Sequence, residues 1–245
     1  MARTDFRTPR LFVDTALGLG AAVAIDKPQA NYLLNVLRLR DGDAVLVFNG
    51  RDGEWRSTIA GGKRHATLAL TEQTRPQIPA PDLHYLFAPL KHARLDYMVQ
   101  KAVEMGVSRL APVVTRHTQV ARVNLDRMRA NVVEAAEQCG ILALPDIVEP
   151  ASLDKALAAR DPARLLIFCD EEAELQDPAA ALAAHPKGPL AVLVGPEGGF
   201  AEDERTALLR QPNVLRIALG PRILRADTAA VAALTMVQAV LGDWH

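Results

Sequence analysis

Residues 191–200 read Ala191-Val-Leu-Val-Gly-Pro-Glu-Gly-Gly-Phe200, and residues 216–228 read Arg216-Ile-Ala-Leu-Gly-Pro-Arg-Ile-Leu-Arg-Ala-Asp-Thr228. Each is an apolar run that breaks into a glycine turn and is followed by a helical pattern. Near-continuous apolar runs of this length are expected of strands covered by helices on both faces of a parallel sheet. The same texture recurs upstream. Candidate strands are His84–Ala88, Arg109–Thr115, Arg164–Cys169, Leu190–Val194 and Val214–Leu219. Between them lie candidate helices His92–Met105, Asn124–Cys139, Ser152–Ala159, Pro178–Ala184, Glu202–Arg210 and Thr228–Leu241. In the first of these, Leu95, Met98, Val99 and Ala102 repeat at the spacing of one buried face. Arg94 and Lys101 fall on another face and are expected to meet solvent. Residues 82–245 therefore read as one α/β domain.

The preceding residues have a different texture. Ala44–Phe48, Glu54–Ile59 and Ala66–Leu70 are short strand-like runs separated by Gly- and Asp-rich turns. Turn signals at this spacing predict a small β-barrel or sandwich over residues 1–74, interrupted by a short helix near Gln29–Leu37. Arg75-Pro-Gln-Ile-Pro-Ala-Pro81 is proline-rich, stiff and extended, and it is read as the linker between two domains.

Composition narrows the class. Of 245 residues 49% are hydrophobic, which is too much apolar surface for a chain whose main state is disorder. No apolar run reaches the roughly 18 residues of a spanning helix, and the first residues lack a signal-peptide pattern. Cytoplasm is the expected compartment, with no membrane partner. Two cysteines, Cys139 and Cys169, make neither a disulfide framework nor a paired-Cys zinc site, and the six histidines show no ligand spacing, so no metal is expected. Net charge is only −1, but it is unevenly spread. Residues 1–134 carry 19 Lys and Arg against 13 Asp and Glu, whereas residues 135–245 carry 9 against 16. A basic front half is what a protein meeting a polyanion would have.

Ligands of open parallel sheets bind at the carboxyl ends of the strands. A glycine turn between strand and helix first suggests phosphate binding, yet the spacing here fits neither the dinucleotide fingerprint nor the P-loop. The following helix opens with Glu202-Asp203-Glu204, which already complements the positive helix end and would repel a phosphate. A ligand without phosphate, and a cationic one, is favoured over a turn that holds nothing. Asp227 stands just before an apolar helix, at the place of an N-cap. Arg222 and Arg225 flank Ile223-Leu224 in the second turn.

Gly195-Pro-Glu-Gly-Gly-Phe200, together with Leu219-Gly-Pro-Arg-Ile-Leu-Arg225 and the Asp-Thr-Ala-Ala that follows, resembles the SPOUT-class methyltransferases. More narrowly, the chain resembles the 16S ribosomal RNA uridine-N3 methyltransferase family. Arg10-Leu-Phe12, Val36-Leu-Arg38, Lys91, Arg94, Gln100-Lys-Ala-Val-Glu-Met-Gly-Val107 and Glu134-Ala-Ala-Glu-Gln-Cys-Gly140 extend the likeness over almost the whole chain. The family usually has Glu at the place of Asp227, Thr at Ala226 and Arg at Ile141. The resemblance implies an α/β domain with a parallel sheet and a deep trefoil knot, preceded by a PUA-like β-barrel for RNA, in a homodimer. It further implies S-adenosylmethionine as cofactor, held by Val194, Gly195, Glu197, Gly198, Gly199, Ala218, Leu219, Gly220, Ile223 and Leu224. Arg225 and Asp227 are implied as the catalytic pair, with Asp227 either accepting the N3 proton or, the favoured reading, holding Arg225 and capping its helix. Arg10, Arg38 and Lys91 are expected to contact the phosphates of 16S ribosomal RNA in the small subunit. Other readings compatible with the residues are methylation of another RNA position, such as a ribose 2′-oxygen, and a non-catalytic assembly factor.

Overall fold

A computed structural model describes residues 5–62, 65–120, 122–174 and 177–244. The chain divides into two compact units, one formed by Met1–Pro79 with Val133–Leu144 and the other by Ala80–Val132 with Pro145–His245.

In the first unit, β1 (Arg10–Phe12), β2 (Ala22–Ala24), β3 (Ala44–Phe48), β4 (Glu54–Ala60) and β5 (Thr67–Arg75) form a five-stranded sheet in the order β1-β3-β4-β5-β2. Only β1 and β3 run parallel; the other pairs are antiparallel. Val45, Val47, Ile59, Leu68 and Leu70 project inward and pack on Leu11, Val13, Val23 and Leu33. The expected short helix is present as α1 (Lys27–Asn31) followed by one turn of π-helix, Tyr32–Val36. Asp26 starts α1 because its carboxylate accepts from Gln29 N at 2.7 Å while Gln29 Oε1 accepts from Asp26 N, a reciprocal capping box.

Two features of this unit depart from the sequence reading. The sheet continues through Arg75, the first residue assigned to the linker. Arg75 bonds both oxygens of Glu54 at 3.0 and 2.6 Å and donates to the Gly140 carbonyl at 2.9 Å. The unit also recruits Val133–Leu144, in which Glu137 accepts from Phe12 N at 2.8 Å. Local prolines mark chain stiffness; they carry no information about which distant segment a sheet edge will bind.

The same cluster corrects the expectation for Arg10. Its guanidinium is buried, pairs with Glu54 at 2.8 Å and lies against Gly140, so it is not presented to an RNA phosphate. A buried carboxylate needs compensation by charge, and Arg10 and Arg75 supply it from two sides. Together they hold the Glu54 carboxyl below its usual range against the opposing effect of burial, which is the largest single influence.

The second unit holds a parallel sheet of β6 (Leu83–Phe87), β7 (Arg109–Val114), β8 (Asp146–Ile147), β10 (Leu165–Cys169), β11 (Leu190–Val194) and β12 (Val214–Ile217), in the order β12-β10-β11-β6-β7-β8, with β9 (Ala151–Ser152) pairing β7. The helices are α2 (His92–Glu104), α3 (Leu125–Cys139, which ends among the residues of the first unit), α4 (Leu153–Ala158), α5 (Pro178–Ala183), α6 (Glu202–Leu209) and α7 (Ala226–Val240). Every residue of β10 and β11 is buried, which is why these strands read as unbroken apolar runs. Leu166, Phe168, Ala191 and Leu193 pack with Leu86, Phe200 and Leu208. Chain order moves from β6 to β7 on one side and then crosses to β10 on the other, with β11 filling the gap. The carboxyl ends of β10, β11 and β12 are thereby brought side by side. No helix is long and apolar enough to cross a membrane among the described residues.

Candidate active site

A cavity of about 730 Å³ opens at those three strand ends. All ten residues implied as cofactor ligands line it: Val194 at the end of β11 with Gly195, Glu197, Gly198 and Gly199 from the turn that follows, and Ala218, Leu219, Gly220, Ile223 and Leu224 from the turn after β12. Ile223 belongs to the rim, since it is 92% exposed. The turn after β11 is built around absent side chains. A Cβ at Gly195 would fall on the Phe200 ring, and Gly199 has φ +69° with Glu171 against the place a Cβ would take. His117 Nδ1 lies 3.1 Å from the Gly199 carbonyl and fixes the turn from outside.

The acids at the start of α6 are engaged locally. Glu204 accepts from Ala201 N at 2.9 Å and Arg116 N at 2.8 Å, and Asp203 pairs with Arg116 at 2.6 Å. The N-cap amide of this helix is thus answered by the protein's own Glu204, and the three acids of the first turn complement the positive helix end.

The third wall was not foreseen. Cys169 ends β10, Asp170, Glu171 and Ala173 follow it, and Ala226 and Ala229 come from α7. Asp170 is buried and paired with Arg216 at 2.7 Å and Arg205 at 3.3 Å, so its charge is neutralised inside the protein. Burial, reinforced by the Asp170 charge, pushes the Cys169 thiol up to about 12, and a protonated thiol of that kind is no nucleophile. The strand-end rule applied to Arg164–Cys169 would have found this wall. No glycine followed that strand to draw attention to it.

Asp227 is not the N-cap of α7. The helix starts at Ala226 with Arg225 in the capping position, and Asp227 lies inside the first turn, where it accepts from Thr228 N at 2.9 Å. Nor does Asp227 hold Arg225. Its two oxygens face Arg94 of α2, with Nε to Oδ2 at 2.9 Å and Nη2 to Oδ1 at 3.0 Å. The remaining Nη1 of Arg94 bonds Glu197 in the glycine turn. The Arg94 guanidinium is the main cause that holds the Asp227 carboxyl below its ordinary value, helped by Thr228 N and opposed by partial burial. Arg94, expected on a solvent face, is therefore a junction of three elements. The Arg225 side chain is exposed and makes no hydrogen bond or ion pair among the described residues, its backbone carbonyl alone accepting from Ala229 N at 2.7 Å.

A family model for an RNA methyltransferase domain matches residues 76–238, and one for an RNA methyltransferase PUA domain matches residues 25–71. The chain belongs to this RNA methyltransferase family. It is 30% identical over 251 residues to a protein named ribosomal RNA small subunit methyltransferase E from Mycobacterium bovis, covering 95% of this chain and 92% of that one. It is 29% identical over 232 residues to the protein of the same name from Rickettsia conorii, covering 94% of each. A solved structure of ribosomal RNA small subunit methyltransferase E from Neisseria gonorrhoeae, bound to S-adenosyl methionine, superposes with a TM-score of 0.87 at 26% identity, over 98% of this chain and 100% of that one.

The fold of this RNA methyltransferase is accordingly SPOUT-class, with a PUA-like N-terminal sheet. Of its expected RNA contacts, Arg38 and Lys91 are exposed and make no ion pair among the described residues, and Arg10 is withdrawn as described. Lys91 occupies the N-cap position of α2 in extended conformation. No group of three or more potential metal ligands occurs among the described residues.

Proposed function

We propose that this chain, as a homodimer, transfers a methyl group from S-adenosylmethionine to N3 of a uridine in 16S ribosomal RNA of the small subunit. The observation that carries this reading is the cavity at three parallel strand ends, two of whose walls are glycine turns with exposed backbone. Its volume suits a ligand the size of a nucleoside joined to an amino acid. Val194, Leu219 and Leu224 offer apolar surface for an adenine and a methionine chain, and Gly198, Gly199 and Gly220 leave room for close backbone approach.

S-adenosylmethionine, when bound, supplies a methyl group made electrophilic by its sulfonium. The cavity walls fix that ligand's orientation, so the chemistry reduces to placing the attacking nitrogen in line. Arg225 stands next in sequence to the cavity residue Leu224, with its guanidinium free to meet the uracil oxygens as negative charge grows there. Asp227 is unsuited to take the N3 proton: Arg94 occupies both its oxygens and lowers its basicity. The proton leaves to solvent, and the rate is expected to rise with pH through deprotonation of uracil N3, with no inflection in the carboxylate range.

The test is calorimetric titration of S-adenosylmethionine into the wild type and into Gly199→Val. The wild type should take up about one equivalent per chain and the variant none, with unchanged circular dichroism. Methylated nucleosides mapped in 16S ribosomal RNA of a deletion strain should lack one N3-methyluridine. A wild type that takes up no cofactor would overturn the reading.

A further inference from the structure

We propose that Arg94 is a positioning residue that locks the glycine turn of the cavity to the first turn of α7, so that the cofactor wall and Arg225 are held in one register. This rests on the methyl-transfer reading above and adds a residue that neither strand-end rule nor glycine motif marks. Arg94 lies in the first turn of α2, yet its partners are 103 and 133 positions further along the chain. Two of its nitrogens take the two oxygens of Asp227 side by side, and the third takes Glu197. A guanidinium is the one side chain that presents three donor nitrogens in a rigid plane and can satisfy two carboxylates at once. Glu197 has no other hydrogen-bond or ion-pair partner among the described residues, and besides Arg94 the Asp227 carboxylate meets only backbone amides, those of Thr228 and of Asp227 itself.

The geometry explains why both ends matter. Glu197 sits between Pro196 and Gly198 in the wall that approaches the cofactor, and Asp227 sits two residues after Arg225. With Arg94 gone, two carboxylates face each other across the space it filled. Their repulsion pushes the glycine turn and the start of α7 apart, displacing Arg225 relative to the cofactor wall.

The experiment compares wild type, Arg94→Lys, Arg94→Met, Asp227→Asn and the double variant Arg94→Met with Asp227→Asn. Cofactor affinity is read by calorimetry, RNA affinity by filter binding, and rate by single turnover with both ligands saturating. Arg94→Met is expected to slow the saturated step by about a hundredfold, the loss that an ångström-scale misplacement brings. Arg94→Lys should recover only part of that rate, because one ammonium cannot bridge both acids. RNA affinity should stay within about twofold of wild type, and the double variant should be no slower than Arg94→Met, since both changes break one link. The proposal is overturned if folded Arg94→Met turns over at the wild-type rate. It is equally overturned if its defect lies in RNA affinity and adds fully to that of Asp227→Asn, which would make Arg94 a direct phosphate contact. Absence of cofactor uptake by the wild type would instead bring down the methyl-transfer reading, and this inference with it.

Discussion

Arg38 carries its backbone at φ 59°, a conformation that costs a residue with a side chain about 1–2 kcal/mol. It sits just past the π-turn, where Leu37 N bonds the Tyr32 carbonyl and Leu39 N the Leu33 carbonyl, so the left-handed residue closes the helix end. Glycine would fill that position with less strain. Arg38→Gly is therefore expected to raise thermal stability slightly, by up to about 1 kcal/mol. It should also weaken RNA binding and reduce the salt slope by roughly one charge. Unchanged RNA affinity in the stabilised variant would remove Arg38 from the interface. At this scale sequence reasoning was uneven. All ten implied ligands fall on the cavity wall, because a turn is local, while the wall after β10 was missed. The partners of Asp227 and Arg10 were misjudged, because ion pairs across 133 or 44 positions leave no trace in local pattern.

At the scale of elements, α3 shows why period alone is incomplete. The expected helix Asn124–Cys139 matches α3 to within a residue at its start, but the acid that it buries was not foreseen. Glu137 accepts from Phe12 N, and burial pushes its carboxyl up to about 7, with the neighbouring Glu134 adding to the rise and the Phe12 bond opposing it. A folded value above the unfolded one means that the native state keeps a proton the unfolded chain has lost. This contribution is complete below about pH 4.5 and disappears as pH rises through about 7. Glu137→Gln keeps the acceptor for Phe12 N and removes the ionisation. It should be more stable than wild type at pH 8, on the order of 2 kcal/mol, and closely matched at pH 4.5. His84, pushed down to about 4 chiefly by burial, gives the opposite slope in the same range, so the difference between the two proteins is the quantity to measure. Parallel stability curves from pH 4.5 to pH 8 would show that Glu137 is not buried as an acid. Strand boundaries fared better than partners: Leu190–Val194 was read without error, since full burial on both faces makes a run that nothing interrupts.

For the whole molecule, the two-domain texture was legible from turn spacing in the front and strand–helix alternation behind. Where the chain divides was only half legible. The prolines of residues 75–81 lie near the break at residue 79, but Val133–Leu144 belongs with the first unit. The knot is implied by family likeness and has no signature in the apolar runs themselves. A fragment of residues 80–245 would retain Val133–Leu144 without Phe12 and Arg75, which bind Glu137 and the Gly140 carbonyl. Limited proteolysis is expected to cut such a fragment within residues 133–144 while sparing the intact chain there. A fragment as resistant as the full chain in that segment would show that it needs no partner from residues 1–79.

Translation makes the chain from one end, and the first unit is not contiguous. Residues 80–132 must emerge before the segment that completes it is available. At elongation rates of about 5–20 residues per second this imposes a wait of several seconds on the N-terminal sheet. During that interval Glu54, Arg10 and Arg75 can pair, but Phe12 N and the third guanidinium nitrogen of Arg75 have no acceptor. The N-terminal sheet is therefore the first part to be made but is not completed until residues 133–144 follow, so its maturation is tied to progress of synthesis well into the catalytic half.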